Sequence, residues 1–218
     1  MRQRFQDSAA FIRRFGFPAY LAEACFRVLS RLFYFECLQI IVLRRDSVQP
    51  AKENVGIRLT GRVAEIAEVE ALASNPDWGI GETKLGLLRA GDSCFFSFVN
   101  GELGGYSWVH TGGAPQLLPG LKLSIPEMYL YNFAALTLPQ YRGVGMQSFR
   151  HLAILSEPQW AGKLGLLGFV NFRNWASRKG QAKSGYRKIG SLLVLGSRRR
   201  FLVLLSPKLR SFGVRRIQ

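Results

Sequence analysis

The sequence is poor in histidine, cysteine and acid. Its two histidines, His110 and His151, and its three cysteines, Cys25, Cys37 and Cys94, show no CxxC or Cys/His ligand spacing, so no metal site is expected. An odd cysteine count also argues against a disulfide framework; a reducing cytoplasm is the expected compartment, and each Cys is expected to be a small buried apolar residue. The basic N-terminal residues are not followed by a short apolar core and a small-residue cleavage site, so a secretory signal is not expected. The most hydrophobic segment, YLAEACFRVLSRLFYFECLQIIVLRR, is broken by Glu23, Arg27, Arg31 and Glu36, which argues against a membrane span.

Base is what the chain has in excess. Lys and Arg number 30 against 14 Asp and Glu, a formal charge of +16, so an anionic partner is expected. Nucleic acid, an anionic bilayer, a phosphorylated cofactor and an acidic carrier protein all satisfy that charge. With 48% hydrophobic and 12% aromatic residues over 218 positions, the chain has enough apolar material for one large folded domain, or one domain with an extension.

Residues 19–43 place Leu21, Cys25, Val28, Leu32 and Phe35 close to helical spacing, which predicts an amphipathic helix. Packing on the following domain, lying on anionic lipid and lining an acyl channel are its three readings. The polar break DSVQPAKEN sets a boundary, giving a helical extension over 1–50 and a domain over 51–218. A strand is predicted over 55–59, a helix over 63–73 and a second helix between Pro76 and Gly91. Runs 94–99 and 103–110 joined by NGE predict a hairpin. Residues 111–126, rich in Gly and Pro, predict a long loop. There follow a strand over 128–138, a helix over 143–155, a strand over 164–170, a helix over 174–183, and strands near 186–195 and 201–205. This order makes a mixed α/β sheet.

The chemistry concentrates in LTLPQYRGVGMQ, residues 136–147. Pro139 ends a strand because it cannot donate to a ladder, and Gly143 and Gly145 clear side chains from a backbone that then opens a helix. Unpaired N–H groups and the positive end of the helix dipole suit a phosphate, with Arg142 beside them. No Gly-Lys-Ser/Thr follows, so the pattern is not a Walker loop, and it is not GxGxxG.

LxLPxYRGxG, then a helix, a strand ending GFVN, NxxS and a Gly-aromatic pair resembles the GCN5-related N-acetyltransferase (GNAT) superfamily over roughly residues 54–206. The match is to its signature Gln/Arg-x-x-Gly-x-Gly/Ala, here Gln140, Gly143 and Gly145. The resemblance implies a mostly antiparallel central sheet flanked by helices, with the N-terminal amphipathic helix as an addition. It also implies an N-acyltransferase working by direct attack of an amine, on a small molecule or a peptide, on acetyl-CoA, another acyl-CoA or an acyl-phosphopantetheine. Backbone N–H groups of Gln140, Tyr141, Arg142, Gly143, Val144 and Gly145 would hold the phosphates. Leu136, Thr137 and Leu138 would run beside the pantetheine arm, and Asn174 would contact it, serving equally as a helix N-cap. Many relatives carry a Tyr six residues after that Asn; here the position is Gly180, and Tyr186 is the substitute candidate for general acid.

An amine acceptor needs a base. Candidates are Glu127, Tyr129, Tyr131, Asn132 and His110, of which the two tyrosines share a strand face. His151, inside a helix, is read as surface or packing. Phe26, Phe33, Phe35, Trp108 and Leu117 are candidates to line an acyl channel. The basic cluster Arg198, Arg199, Arg200, Lys208, Arg210, Arg215 and Arg216 reads as a solvated face or as contact with an acidic acyl carrier protein or the inner membrane surface. No nucleic-acid motif accompanies it. A catalytically silent acyl-CoA-binding or membrane-surface module is the alternative of another class.

Overall fold

The structure is a computed structural model that describes residues 2–48, 55–112, 115–118, 121–197 and 201–217. Two helices come first, α1 (Arg2–Phe15) and α2 (Phe17–Leu32), separated by Gly16 at φ +88. Pro18 sits in the first turn of α2, where its missing N–H costs nothing. The helix expected over 19–43 stops at Leu32. Tyr34, Phe35, Ile40, Ile41 and Val42 are β-branched or aromatic and form strand β1 (Tyr34–Arg44) instead. Leu38 to Leu43 are buried on both faces of the sheet, so the segment is apolar at nearly every position and its period is hidden.

After β2 (Leu59–Val63), which begins where the expected strand 55–59 was to end, come α3 (Ile66–Ala73) and α4 (Glu82–Arg89). A capping box starts α3: Glu65 and Glu68 each accept from the other's backbone N–H. Strands β3 (Ser93–Val99) and β4 (Glu102–His110) form the expected hairpin, with Asn100 at φ 51 and Gly101 at φ 89 in the turn.

The loop expected over 111–126 contains two short strands, β5 (Gln116–Leu118) and β6 (Leu121–Ser124). Leu121 and Leu123 are fully buried and alternate with outward residues, a period of two easily lost among glycines and prolines. Next are β7 (Tyr129–Thr137), α5 (Met146–Ser156), β8 (Gly165–Asn171), α6 (Trp175–Lys183), β9 (Arg187–Gly196) and β10 (Phe201–Leu205), close to their expected places. The chain ends with α7 (Pro207–Ser211) and β11 (Arg215–Ile217), which were not expected. Lys208, Arg210, Arg215 and Arg216 are exposed there around buried Leu209 and Val214, while Arg198, Arg199 and Arg200 lie outside the described residues.

The main sheet has eight strands in the order β10-β9-β1-β8-β7-β4-β3-β2, and the second sheet has three, β11-β6-β5. Every pairing is antiparallel except β7 with β8. The architecture is therefore mixed α/β with a mostly antiparallel central sheet. One face packs on α5 through Phe95, Val109, Leu130, Ile154 and Leu155. The other packs on α3 and α4 through Phe96, Trp108, Val69 and Leu85, and on the small sheet and α7 through Leu123, Leu209 and Leu167. A division at residue 50 would part β1 from β8 and β9, to which it is bonded along its length. Of the cysteines, Cys94 is buried and its thiol is pushed up to about 12 by burial, Cys37 is half-buried, and Cys25 is exposed, contrary to expectation.

Candidate active site

Strands β7 and β8 pair only at their first residues, Tyr129 with Gly165, Leu130 with Leu166 and Tyr131 with Leu167. Beyond that point each follows a different neighbour. β7 stays on β4 as far as Thr137 opposite Gly105, while β8 stays on β1 as far as Asn171 opposite Leu38. A bulge drives them apart: the register slips between Trp108 opposite Phe133 and Tyr106 opposite Leu136, and Ala134 sits at φ 46. The gap is a cleft of about 680 Å³ walled by β7, β8, α5 and α6.

The quoted turn closes one end of that cleft. Leu138 N–H donates to Gly104 O at 2.9 Å, which anchors the end of β7, and residues 139–141 make one tight 3-10 turn. Gly143 and Gly145 follow at φ +89 and +84, and Gly145 caps α5. A Cβ on Gly143 would meet nothing within 4 Å, so the backbone here is open to a ligand. The first N–H groups of α5 have no carbonyl four residues back to bond within the helix and carry its positive dipole end. Leu136, Thr137, Tyr141, Arg142, Gly143, Gly145 and Asn174 all line the cleft; Leu138, Gln140 and Val144 belong to the same turn without lining it. Asn174 caps α6 by accepting from Ser177 N–H at 3.0 Å.

Gly180 is explained by packing. A Cβ there would stand 2.6 Å from Oε1 of Gln147 on α5, so a side chain at this position would displace Gln147. The substitute, Tyr186, is buried in the core under α5, edge-on to His151 at 4.9 Å and hydrogen-bonded to Asn132. Burial raises its phenol far above the ordinary range. Tyr186 is therefore one residue removed from the cleft, which Asn132 and His151 line.

Two further residues of α5 shape the wall. Arg150 is 1% exposed and faces inward, donating to Ser97 Oγ at 2.6 Å, Tyr106 O at 2.8 Å and Thr137 Oγ1 at 3.2 Å. Burial lowers its pKa to about 10, which still leaves it charged at neutral pH. His151, expected at the surface or in packing, is 2% exposed and its pKa is pushed down to about 3 by burial and by Arg150, so it stays neutral. A sequence signal for Arg150 exists in its spacing: it lies four residues from Met146 and from Ile154, on the buried stripe of α5.

The remaining candidates lie on the opposite face of the sheet, at the closed end of the β7/β8 pair. His110 Nδ1 is 2.5 Å from Asp92 Oδ1, and its Nε2 has no hydrogen-bond partner among the described residues. Tyr131 lies opposite His110 in the register, stacked on Phe133 at 4.9 Å and edge-on to Phe169 at 5.2 Å. Burial raises its phenol above the ordinary range, with the charge of Asp92 adding to the effect. Tyr129 packs on Phe212 at 5.2 Å in the core. Glu127 is exposed before β7, where its backbone carbonyl accepts from Lys163, and it does not line the cleft. Asp92 was missed in the sequence because nothing local marks it.

The expected acyl-channel aromatics are elsewhere. Phe26 packs on Phe35 at 4.9 Å, Phe33 is 57% exposed, and Trp108 and Leu117 belong to the core. The cavity that does adjoin the cleft, about 570 Å³, is walled by Phe15, Ile41, Trp175 and Tyr186 and shares Val170 and Gln181 with it. Arg14, Arg178, Lys179 and Lys188 also line it.

No family model and no curated protein matches the sequence. Among solved structures, the chain is similar to a functionally unknown conserved protein from Staphylococcus epidermidis, with TM-score 0.50 and 10% identity over 79% of this chain and 66% of that one. It is also similar to an acetyltransferase from the GNAT family of Colwellia psychrerythraea (TM-score 0.46, 15% identity, 74% of this chain and 56% of that one). An N-acetyltransferase from Staphylococcus aureus gives TM-score 0.40 and 17% identity over 58% and 81%. The chain thus spans slightly less than two thirds of the first of these structures. Strand and helix order, the single parallel pair at β7 and β8, and the glycine turn into α5 agree with the order and turn that the sequence resemblance to the GCN5-related N-acetyltransferase superfamily implies.

Proposed function

We propose that the chain is an N-acyltransferase that moves an acyl group from an acyl thioester to an amine by direct attack. The observation that carries this reading is the cleft between the splayed ends of β7 and β8, closed by the open glycine turn at the N-terminus of α5. The diphosphate of coenzyme A, or the phosphate of a carrier protein's phosphopantetheine, lies against residues 140–145, and the pantetheine arm runs between Leu136–Leu138 and Asn174. The bulge leaves Ala134 and Ala135 without register partners on β4, and both line the cleft, so their main-chain N–H groups are the proposed donors to the thioester oxygen as negative charge develops.

The acceptor approaches from the face that carries His110. An amine of pKa about 10.4 costs roughly 4 to 5 kcal/mol to deprotonate at pH 7, so a base is needed. His110, held by Asp92 through Nδ1 and with a buried Nε2 that does not line the cleft, takes that proton through water. The amine nitrogen then bonds to the carbonyl carbon, the C–S bond breaks, the thiolate departs with the electron pair, and the second proton that the nitrogen sheds on becoming an amide passes to that thiolate or to water. A thiol of pKa about 8.5 leaves as thiolate at pH 7 for about 2 kcal/mol, so the absence of a tyrosine at position 180 is tolerable.

A long-chain donor is the second reading, favoured by the cavity beyond Val170 and Gln181, whose apolar wall of Phe15, Ile41 and Trp175 continues the cleft. Its rim of Arg14, Arg178, Lys179 and Lys188 suits an acidic acyl carrier protein.

The test is binding of acetyl-CoA and of a long-chain acyl-CoA to the protein and to Gly143→Trp, followed by assay of free thiol release with amine acceptors. Binding lost in the folded variant supports the reading, and binding retained in it refutes the site. Val170→Trp is expected to abolish only the long-chain ligand. Tight binding with no turnover on any amine would leave a silent acyl-CoA-binding module.

A further inference from the structure

Helix α2 has its apolar side turned outward. Towards the body it presents Ala19, Glu23 and Phe26, each under 10% exposed. The Glu23 carboxylate accepts from Arg173 at 2.5 and 2.9 Å and from Arg27 at 3.1 Å, which ties the helix to the β8–α6 loop. Away from the body, Phe17, Leu21, Cys25, Val28 and Leu32 are exposed, at spacings of four, four, three and four residues that form one stripe. Phe17, Leu21, Val28 and Leu32 are 53–68% exposed, and Phe33, just past the helix end, is 57% exposed.

The neighbouring sheet edge continues the apolar character. Phe35, which touches Phe26 of α2, lies opposite Leu195, and Leu195 lies opposite Leu202. Leu202 and Leu204, 58% and 47% exposed, therefore project to the face of the sheet on which α2 packs. Burying a carboxylate inward while leaving this much apolar surface in water is a poor arrangement for an isolated protein.

Charge decides among occupants. Arg27 and Arg31 flank the stripe on one side, both exposed, and the one carboxylate of α2 is turned inward onto Arg173. A second copy of the same face would bring Arg31 and its counterpart together, and the one acid of the helix, Glu23, is already taken by Arg173 and Arg27. At 16 residues α2 is too short to cross a bilayer, and no helix among the described residues is long and apolar enough to do so. We propose that this face docks on an anionic lipid surface, with α2 lying in the interface, its stripe among the acyl chains and Arg27 and Arg31 at the headgroups. This proposal is independent of the acyl-transfer reading.

The test is co-sedimentation of the full chain with phosphatidylcholine vesicles, with and without phosphatidylglycerol, at low and high salt. The expected result is binding that needs phosphatidylglycerol, weakens with salt, and falls at least about tenfold in the triple variant Leu21→Glu, Val28→Glu, Leu32→Glu. Because these side chains point to solvent, the variant keeps its circular dichroism and melting temperature. Arg31→Glu alone is expected to weaken binding to the anionic vesicles. Absence of vesicle binding by the wild type overturns the proposal. So does wild-type self-association, seen by light scattering, that the triple variant abolishes, because a second copy would then cover the stripe. Equal binding by wild type and triple variant overturns it as well.

Discussion

Asp92 Oδ1 stands 2.5 Å from His110 Nδ1, at hydrogen-bonding distance, and the imidazole's other nitrogen is left without a hydrogen-bond partner among the described residues. A carboxylate on Nδ1 fixes that nitrogen as the protonated one and leaves Nε2 as the acceptor. Asp92→Asn is expected to lower kcat for acyl transfer by about 10²- to 10⁴-fold with little change in the KM for the thioester. His110→Asn should do the same, and steady-state kinetics at saturating thioester separates this from a binding defect.

Gly143 occupies left-handed backbone at φ +89 facing open space. Gly143→Asp places a carboxylate against the proposed phosphate site and costs about 1 to 2 kcal/mol in backbone strain. Its expected effect is a rise of about tenfold or more in the Kd for acyl-CoA by titration calorimetry, with a melting temperature lowered by only a few degrees. Unchanged affinity would move the phosphate elsewhere.

The buried guanidinium of Arg150 joins α5 to β3, β4 and β7 through three acceptors. Arg150→Met keeps the volume and removes the donors, stranding Ser97, the Tyr106 carbonyl and Thr137. Each stranded group costs about 1 to 3 kcal/mol, partly offset by loss of the buried charge, so a net loss of about 2 to 4 kcal/mol is expected in urea unfolding.

His151 links stability to pH. Its folded pKa is lowered to about 3 from the 6.5 of a free imidazole, so between these values the unfolded chain binds a proton that the folded chain refuses. Stability therefore rises with pH across that window, by about 1.4 kcal/mol per unit for this one group, and levels off above the unfolded value. Between pH 5 and 6.5, where carboxylates are largely ionised in both states, His151→Phe is expected to flatten the slope of unfolding free energy against pH by about one proton. A slope unchanged in the variant would mean that His151 is charged in the fold.

The parts of this structure that were legible in the sequence carry local chemical marks. Asn100-Gly101 demands positive φ and gives the hairpin; Pro139, Gly143 and Gly145 mark the end of a strand and the start of a helix. What was misread depends on burial from two sides or on distant partners. β1 is covered on both faces, so its apolar run resembles the helix before it. Asp92 and Arg150 acquire meaning only when β4 brings His110 beside the one and β3 brings Ser97 beside the other. Gly180, an oddity as sequence, is a contact point between α5 and α6 once Gln147 is seen above it.

The central place of β1 bears on how the protein is made. Residues 34–44 leave the ribosome well before residues 165–171 and 187–196, the two strands they must lie between. For most of translation the segment FECLQIIVL lacks both of the strands it pairs with, and an unpaired apolar strand is an aggregation hazard. Closing the sheet is a late, long-range event, and the protein is expected to fold slowly for its size and to tolerate no trimming that reaches β1.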